Sequence, residues 1–201
     1  MKLILILFTL LSPLGANASK ILFLGDSLTE GYGVQKSDSY PSQLQLLLNK
    51  KGLKVVVINA GSSGSTTASG PSRLRWHLKS APKILVLALG GNDGLRGVKL
   101  ESTKINLEKT ITMAKGKGIR VVLGGMKLPH NYGSEYRKKF ENLFQTLASK
   151  HKVLFIPFML KDVGGINSLN LPDGIHPNEK GHKIIARNIL PIIIKALEVS
   201  Q

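Results

Sequence analysis

Five short aliphatic runs recur along the chain with helix-length segments between them: Ile21 to Leu24, Val55 to Ile58, Ile84 to Leu89, Arg120 to Leu123 and Val153 to Ile156. Each has the length of a strand and little polar alternation, the pattern of strands buried in a parallel sheet. The segments between them carry apolar stripes at helical spacing, such as Tyr40, Leu44, Leu47 and Leu48, or Tyr136, Phe140, Leu143, Phe144 and Leu147. Such stripes face a core. A last helix is predicted from about Glu179 to Val199, kinked or interrupted at Pro191. Alternating strands and helices confine the chain to the α/β class, a doubly wound sheet with helices on both faces and right-handed crossovers. Ligand sites in such sheets lie outside the carboxyl ends of the strands, so residues that do chemistry should follow strands.

The 201 residues, with 42% hydrophobic and 20% charged side chains, suffice for a single well-buried core. The beginning of the chain reads differently. Lys2, the apolar run Leu3 to Leu11 and the small-x-small site Ala16-Asn17-Ala18 form a secretory leader, residues 1–18, leaving a mature domain over 19–201. The alternative, an uncleaved anchor, meets the difficulty that a membrane span needs about 20 apolar residues. Export to the periplasm or beyond is therefore expected. With no cysteine in the chain, thiol nucleophiles and thiolate metal sites are excluded, and a nucleophile must be oxygen. The net charge of +16, of which the leader supplies only Lys2, favours polyanions, anionic membrane surfaces or acidic substrates. Its cations are dispersed without a basic stripe interleaved with aromatics, so no nucleic-acid partner is expected.

The strand ends carry the polar residues. Gly25-Asp26-Ser27-Leu28 follows the first run, Asn59-Ala60-Gly61-Ser62-Ser63-Gly64 the second, and Gly90-Gly91-Asn92-Asp93-Gly94 the third. Asp173-Gly174-Ile175-His176-Pro177 comes after the fifth, with a carboxylate and an imidazole three residues apart, close enough to meet within one turn. Acyl transfer needs a serine, a base to take its proton, a group to orient that base and donors for an oxyanion. Residue types for all four parts stand at strand ends. Asp26 and Asp93 are expected to cap backbone amides rather than to react. His182, six residues after His176, offers little for a metal without convergent partners, and His77, His130 and His151 read as surface or loop residues.

In order, Gly-Asp-Ser-Leu, a loop glycine, Gly-x-Asn-Asp and Asp-x-x-His resemble the blocks of the SGNH hydrolases, or GDSL esterase/lipase family, across essentially the whole mature chain. Gly90 to Gly97, Leu128-Pro129, Asn131-Tyr132-Gly133 and Asp173 to Asn178 extend the likeness toward its members that act on acyl chains. The resemblance implies that Ser27 is the nucleophile, with His176 as base and Asp173 as its orienting carboxylate. It implies an oxyanion hole formed by the Ser27 amide, the Gly64 amide and the Asn92 side chain, with Gly61 as the alternative for the second block. No Gly-x-Ser-x-Gly elbow is present, which argues against the α/β-hydrolase version of this chemistry. The expected architecture is three-layered α/β/α with a five-stranded parallel sheet in the flavodoxin-like order 2-1-3-4-5.

The implied activity is hydrolysis of carboxylic esters and thioesters of acyl chains, of the arylesterase, acyl-CoA thioesterase and lysophospholipase kind, through an acyl-enzyme. It needs no cofactor and no metal, and a monomer is expected. The acyl chain should lie in an apolar groove between the loop after Asn92 and the loop Met126 to Tyr132, touching Leu95, Val98, Met126, Leu128 and Tyr132. The rivals are a carbohydrate O-acetylesterase using the same triad and a binding domain of the same fold that has lost catalysis, although none of the four parts is replaced. A metallophosphoesterase is disfavoured because its Gly-Asp-x-His and Gly-Asn-His signatures are missing.

Overall fold

The computed structural model describes residues 18–198; the proposed leader, apart from Ala18, lies outside the described residues. The chain opens with strand β1, Ser19–Gly25, whose Ile21 to Leu24 are fully buried. One helical turn, α1 at Ser27–Glu30, leads through a loop to α2 at Tyr40–Lys50 and then β2 at Val55–Gly61. Helix α3 spans Gly70–His77, and β3, Ile84–Ala88, is buried throughout. A second short turn, α4 at Gly91–Leu95, precedes α5 at Leu100–Gly116, β4 at Arg120–Gly124, α6 at Ser134–His151, β5 at Leu154–Ile156 and α7 at Glu179–Glu198.

All pairings are parallel and the order is β2-β1-β3-β4-β5, the flavodoxin-like order expected. Helices α2 and α7 pack together, while α5 contacts both α3 and α6. The stripe on α2 buries Tyr40, Leu44 and Leu48, and that on α6 buries Phe140, Leu143, Phe144 and Leu147. Each fully buried Leu or Phe contributes roughly 1.5–3 kcal/mol, so these two stripes hold their helices against the sheet. Helix α7 continues past Pro191 without interruption. The stripe Ile185, Ile189 and Ile193, buried on both sides of the proline, outweighs the lost hydrogen bond.

The first and third strands lie side by side and the chain order reverses about β1, so the carboxyl ends of β1, β2 and β3 open beside one another. Two glycines at those ends are fixed by crowding rather than by flexibility. A Cβ on Gly25 would lie 1.8 Å from Thr29 Oγ1, and one on Gly61 would lie 2.0 Å from the Glu30 amide nitrogen. Helix α1 therefore sits directly on the end of the sheet.

Candidate active site

Ser27 is the first residue of α1, immediately after the buried end of β1. Asp26 caps that turn: its Oδ1 accepts the Leu28 amide at 3.1 Å. The turn ends at Gly31, whose φ of +87° is a conformation that side-chain-bearing residues rarely adopt. Asp26 is 2% exposed, and burial raises its pKa to about 6, against the Leu28 amide, its own amide and the positive charges of His176 and Arg73.

The loop before α7 brings the second half of the site. Asp173 Oδ1 accepts the amides of Ile175 at 2.9 Å and His176 at 3.0 Å, and Gly174 between them adopts φ +70°. Asp173 Oδ2 lies 2.7 Å from His176 Nδ1, and His176 Nε2 lies 2.9 Å from Ser27 Oγ. A carboxylate can only accept, so Nδ1 carries the proton and Nε2 accepts the serine hydroxyl. Although partial burial works against it, the hydrogen bonds from the His176 amide and ring and from the Ile175 amide, with the charge of His176, hold Asp173 at about 2. The carboxylate is thus ionised at any working pH.

The oxyanion candidates converge on one turn. Ser65 donates its amide to the Ser62 carbonyl at 3.2 Å, closing a turn in which Gly64 adopts φ +74°. Asn92, on α4, donates its carboxamide to the Ser65 carbonyl at 3.1 Å. Among the described residues the Gly64 amide has no acceptor, whereas the Gly61 amide is taken by Asn59 Oδ1 at 2.9 Å. Gly61 also pairs within the sheet opposite Gly25, so of the two amides it is that of Gly64 which is uncommitted among the described residues. Asp93 accepts the Thr67 amide at 2.9 Å and its hydroxyl at 2.5 Å, anchoring α4 from beneath.

The loop residues separate into two groups. Tyr132 donates its hydroxyl to the Leu95 carbonyl at 3.0 Å, joining the two loops, and Leu95, Val98 and Tyr132 are half-buried. Met126 and Leu128 are each 4% exposed and belong to the core. Leu128 lies against Gly94, where a Cβ would approach it to 2.7 Å.

Three further side chains meet the site. The Tyr32 ring packs on the His176 ring with centroids 4.6 Å apart. Arg73 donates to the carbonyls of Gly25, at 2.9 Å, and Ala60, tying the ends of β1 and β2. Glu30 accepts the Ser63 amide at 2.7 Å and also the Ser63 hydroxyl. The flanking glycines of Gly31-Tyr32-Gly33 were the available sequence signal for Tyr32; Arg73 and Glu30 had none, because their partners lie in other elements. His182 is a core residue: Nδ1 accepts the Tyr40 amide at 3.2 Å, and burial lowers its pKa to about 4, leaving the ring neutral. Its neighbours Asp38, which raises that pKa, and His176, which lowers it, act less than burial does.

The GDSL-like Lipase/Acylhydrolase family matches residues 23–184. An arylesterase of Vibrio mimicus is 36% identical over 194 residues, covering 96% of this chain and 97% of that protein. Thioesterase 1/protease 1/lysophospholipase L1 of Escherichia coli K12 is 36% identical over 178 residues, 88% of this chain and 84% of its own. The crystal structure of TesA superimposes with a TM-score of 0.86 at 34% identity, covering 89% of this chain and 99% of TesA. Sequence and fold agree over nearly the full length of both partners, and the chain belongs to the GDSL lipase/acylhydrolase family and is an ester hydrolase.

Proposed function

We propose that Ser27 is the nucleophile of an acyl-transfer reaction in which His176 is the base and Asp173 fixes the imidazole tautomer. The observation that carries this reading is the unbroken hydrogen-bond chain from Ser27 Oγ through both ring nitrogens of His176 to Asp173 Oδ2. As Ser27 Oγ attacks the acyl carbon, Nε2 takes its proton and the carbonyl electrons move to oxygen. The oxyanion is met by the amides of Ser27 and Gly64 and by the Asn92 carboxamide. The intermediate collapses by expelling the alcohol or thiol, which receives the proton from His176. Water, deprotonated by the same ring, then releases the acid and restores Ser27.

The substrates are small-molecule esters and thioesters of acyl chains; the names of the two curated relatives support both linkages. The acyl chain lies between the α4 loop and the 126–132 loop, with Leu95, Val98 and Tyr132 as walls and Met126 and Leu128 beneath them. The enzyme is exported by its leader, works as a periplasmic or secreted monomer, and meets anionic membrane surfaces through its basic exterior.

The test is a panel of acetyl, butyryl and octanoyl esters and thioesters, with an acetylated sugar included, given to the mature protein and to Ser27→Ala. Faster turnover of octanoyl than of acetyl substrates, lost in the variant, supports the reading. Exclusive cleavage of the acetylated sugar would replace it with an O-acetylesterase.

A further inference from the structure

We propose that Glu30 is a positioning residue of the oxyanion hole, acting through Ser63 on the Gly64 amide. This rests on the reading of Gly64 and Asn92 given above, and adds a residue that neither the motifs nor the triad includes.

Glu30 is the last residue of α1, the turn that begins with Ser27. Its Oε2 takes both polar hydrogens that Ser63 offers, the amide at 2.7 Å and the hydroxyl. In a chain with 28 lysines and arginines, the Glu30 carboxylate makes no salt bridge among the described residues. It is committed instead to a loop across 33 positions of sequence.

The geometry gives that contact a consequence. The Gly64 N–H belongs to the peptide plane between Ser63 and Gly64, so its direction is set by rotation about two backbone bonds, one in each residue. Glycine at φ +74° imposes little restraint of its own. The remaining fasteners of the turn act at its two ends: Ser65 donates to the Ser62 carbonyl at 3.2 Å, Ser62 donates to the Gly25 carbonyl at 3.2 Å, and Ser65 accepts from Asn92 at 3.1 Å. Among the described residues, Glu30 is the group that grips the middle, holding Ser63 by backbone and side chain together. Nucleophile and oxyanion donor are thereby carried by one rigid unit, α1 with the turn clamped to it. An oxyanion donor works only when it is held close to its productive position, which is what this clamp provides.

The experiment compares kcat, KM and thermal midpoint for p-nitrophenyl butyrate in Glu30→Ala, Glu30→Gln, Ser63→Ala and the Glu30→Ala/Ser63→Ala pair, with Asn92→Ala alongside. Glu30→Ala should lower kcat by about 10-fold, since misplacement of a catalytic group by 1 Å can cost about 100-fold. KM should stay within about two-fold and the midpoint within a few degrees, because an exposed carboxylate is being removed. Glu30→Gln keeps an acceptor for Ser63 and should recover most of kcat. The double variant should be no slower than Glu30→Ala, because both changes remove one shared interaction. Wild-type kcat in Glu30→Ala beside a slow Asn92→Ala would overturn the Glu30 inference alone. Full activity in both would overturn it together with the oxyanion-hole assignment. A loss in Glu30→Ala that follows a fallen thermal midpoint, with no rescue by glutamine, would make the residue merely structural and overturn the inference as well.

Discussion

Ser27 Oγ and His176 Nε2 stand 2.9 Å apart although 149 positions of sequence separate them. Neither side chain is needed to close the core, since Ser27 lies on a solvent-facing turn and His176 on a loop. Ser27→Ala should therefore abolish ester turnover while leaving the thermal midpoint within a few degrees of wild type, as checked by calorimetry on the same preparation. Residual activity near the wild-type rate would remove the serine from the mechanism.

Asn92 already donates to a carbonyl, that of Ser65, and in the reaction would turn part of that donor capacity to the oxyanion. Asn92→Ala should cost about 2.7–4 kcal/mol of transition-state stabilisation, read from kcat/KM, the scale of a single oxyanion donor.

Asp173 is held at about 2, below the ordinary 3.8, by its hydrogen bonds to His176 and Ile175 outweighing partial burial. A depressed carboxylate contributes stability that is present above its unfolded value and is lost as pH falls through the folded one. Between about pH 4 and 2 the wild type should thus lose more stability than Asp173→Asn. At neutral pH, Asp173→Asn should lower kcat on the order of 10⁴-fold by allowing the wrong imidazole tautomer.

Asp26 moves the opposite way. Burial raises it from 3.8 to about 6, so the folded protein holds a proton that the unfolded chain has already released in this interval. Its contribution to stability is most favourable below about pH 4 and declines as pH rises to 6. Asp26→Asn keeps an acceptor for the Leu28 amide, and should raise stability by about 3 kcal/mol at pH 8 with little effect at pH 4. Thermal midpoints of both proteins at the two pH values measure the difference.

Leu128 and Phe140 both pack against Gly94, beneath the loops assigned to the acyl chain. Leu128→Ser should slow octanoyl ester hydrolysis several-fold more than acetyl ester hydrolysis, since each buried methylene is worth about 0.8 kcal/mol. Equal slowing of both would show that the residue supports only the loop.

Hydrophobic runs located the five strands because both sheet faces are covered, but they stopped short at Gly25, Gly61 and Gly124, which join the sheet by backbone pairing alone. Ser27, Asp173 and His176, joined in one hydrogen-bond chain, were legible because each follows a strand or a short turn in its own motif. Helix α4 was not, since a glycine-rich segment reads as loop until Asp93 fastens it to Thr67. The burial of Met126 and Leu128 depends on what lies across from them. Met126 shares its surroundings with Leu28, Tyr40, Met159 and Ile185, all distant in sequence. Glu30 was hidden for the same reason, its partner being fixed only when β2 is laid beside β1.

The bond between the Tyr40 amide and His182 joins α2 to α7 across 142 positions. Synthesis delivers Ser27 and the 62–65 turn early and the His176 imidazole almost last. With the roles proposed for Ser27 and His176, a nascent polypeptide carries a serine with no proton acceptor and is inert toward esters around it. If His176 is the base, hydrolysis begins only when the segment that carries it is docked beside β1, and a chain broken anywhere before Asp173 never acquires it.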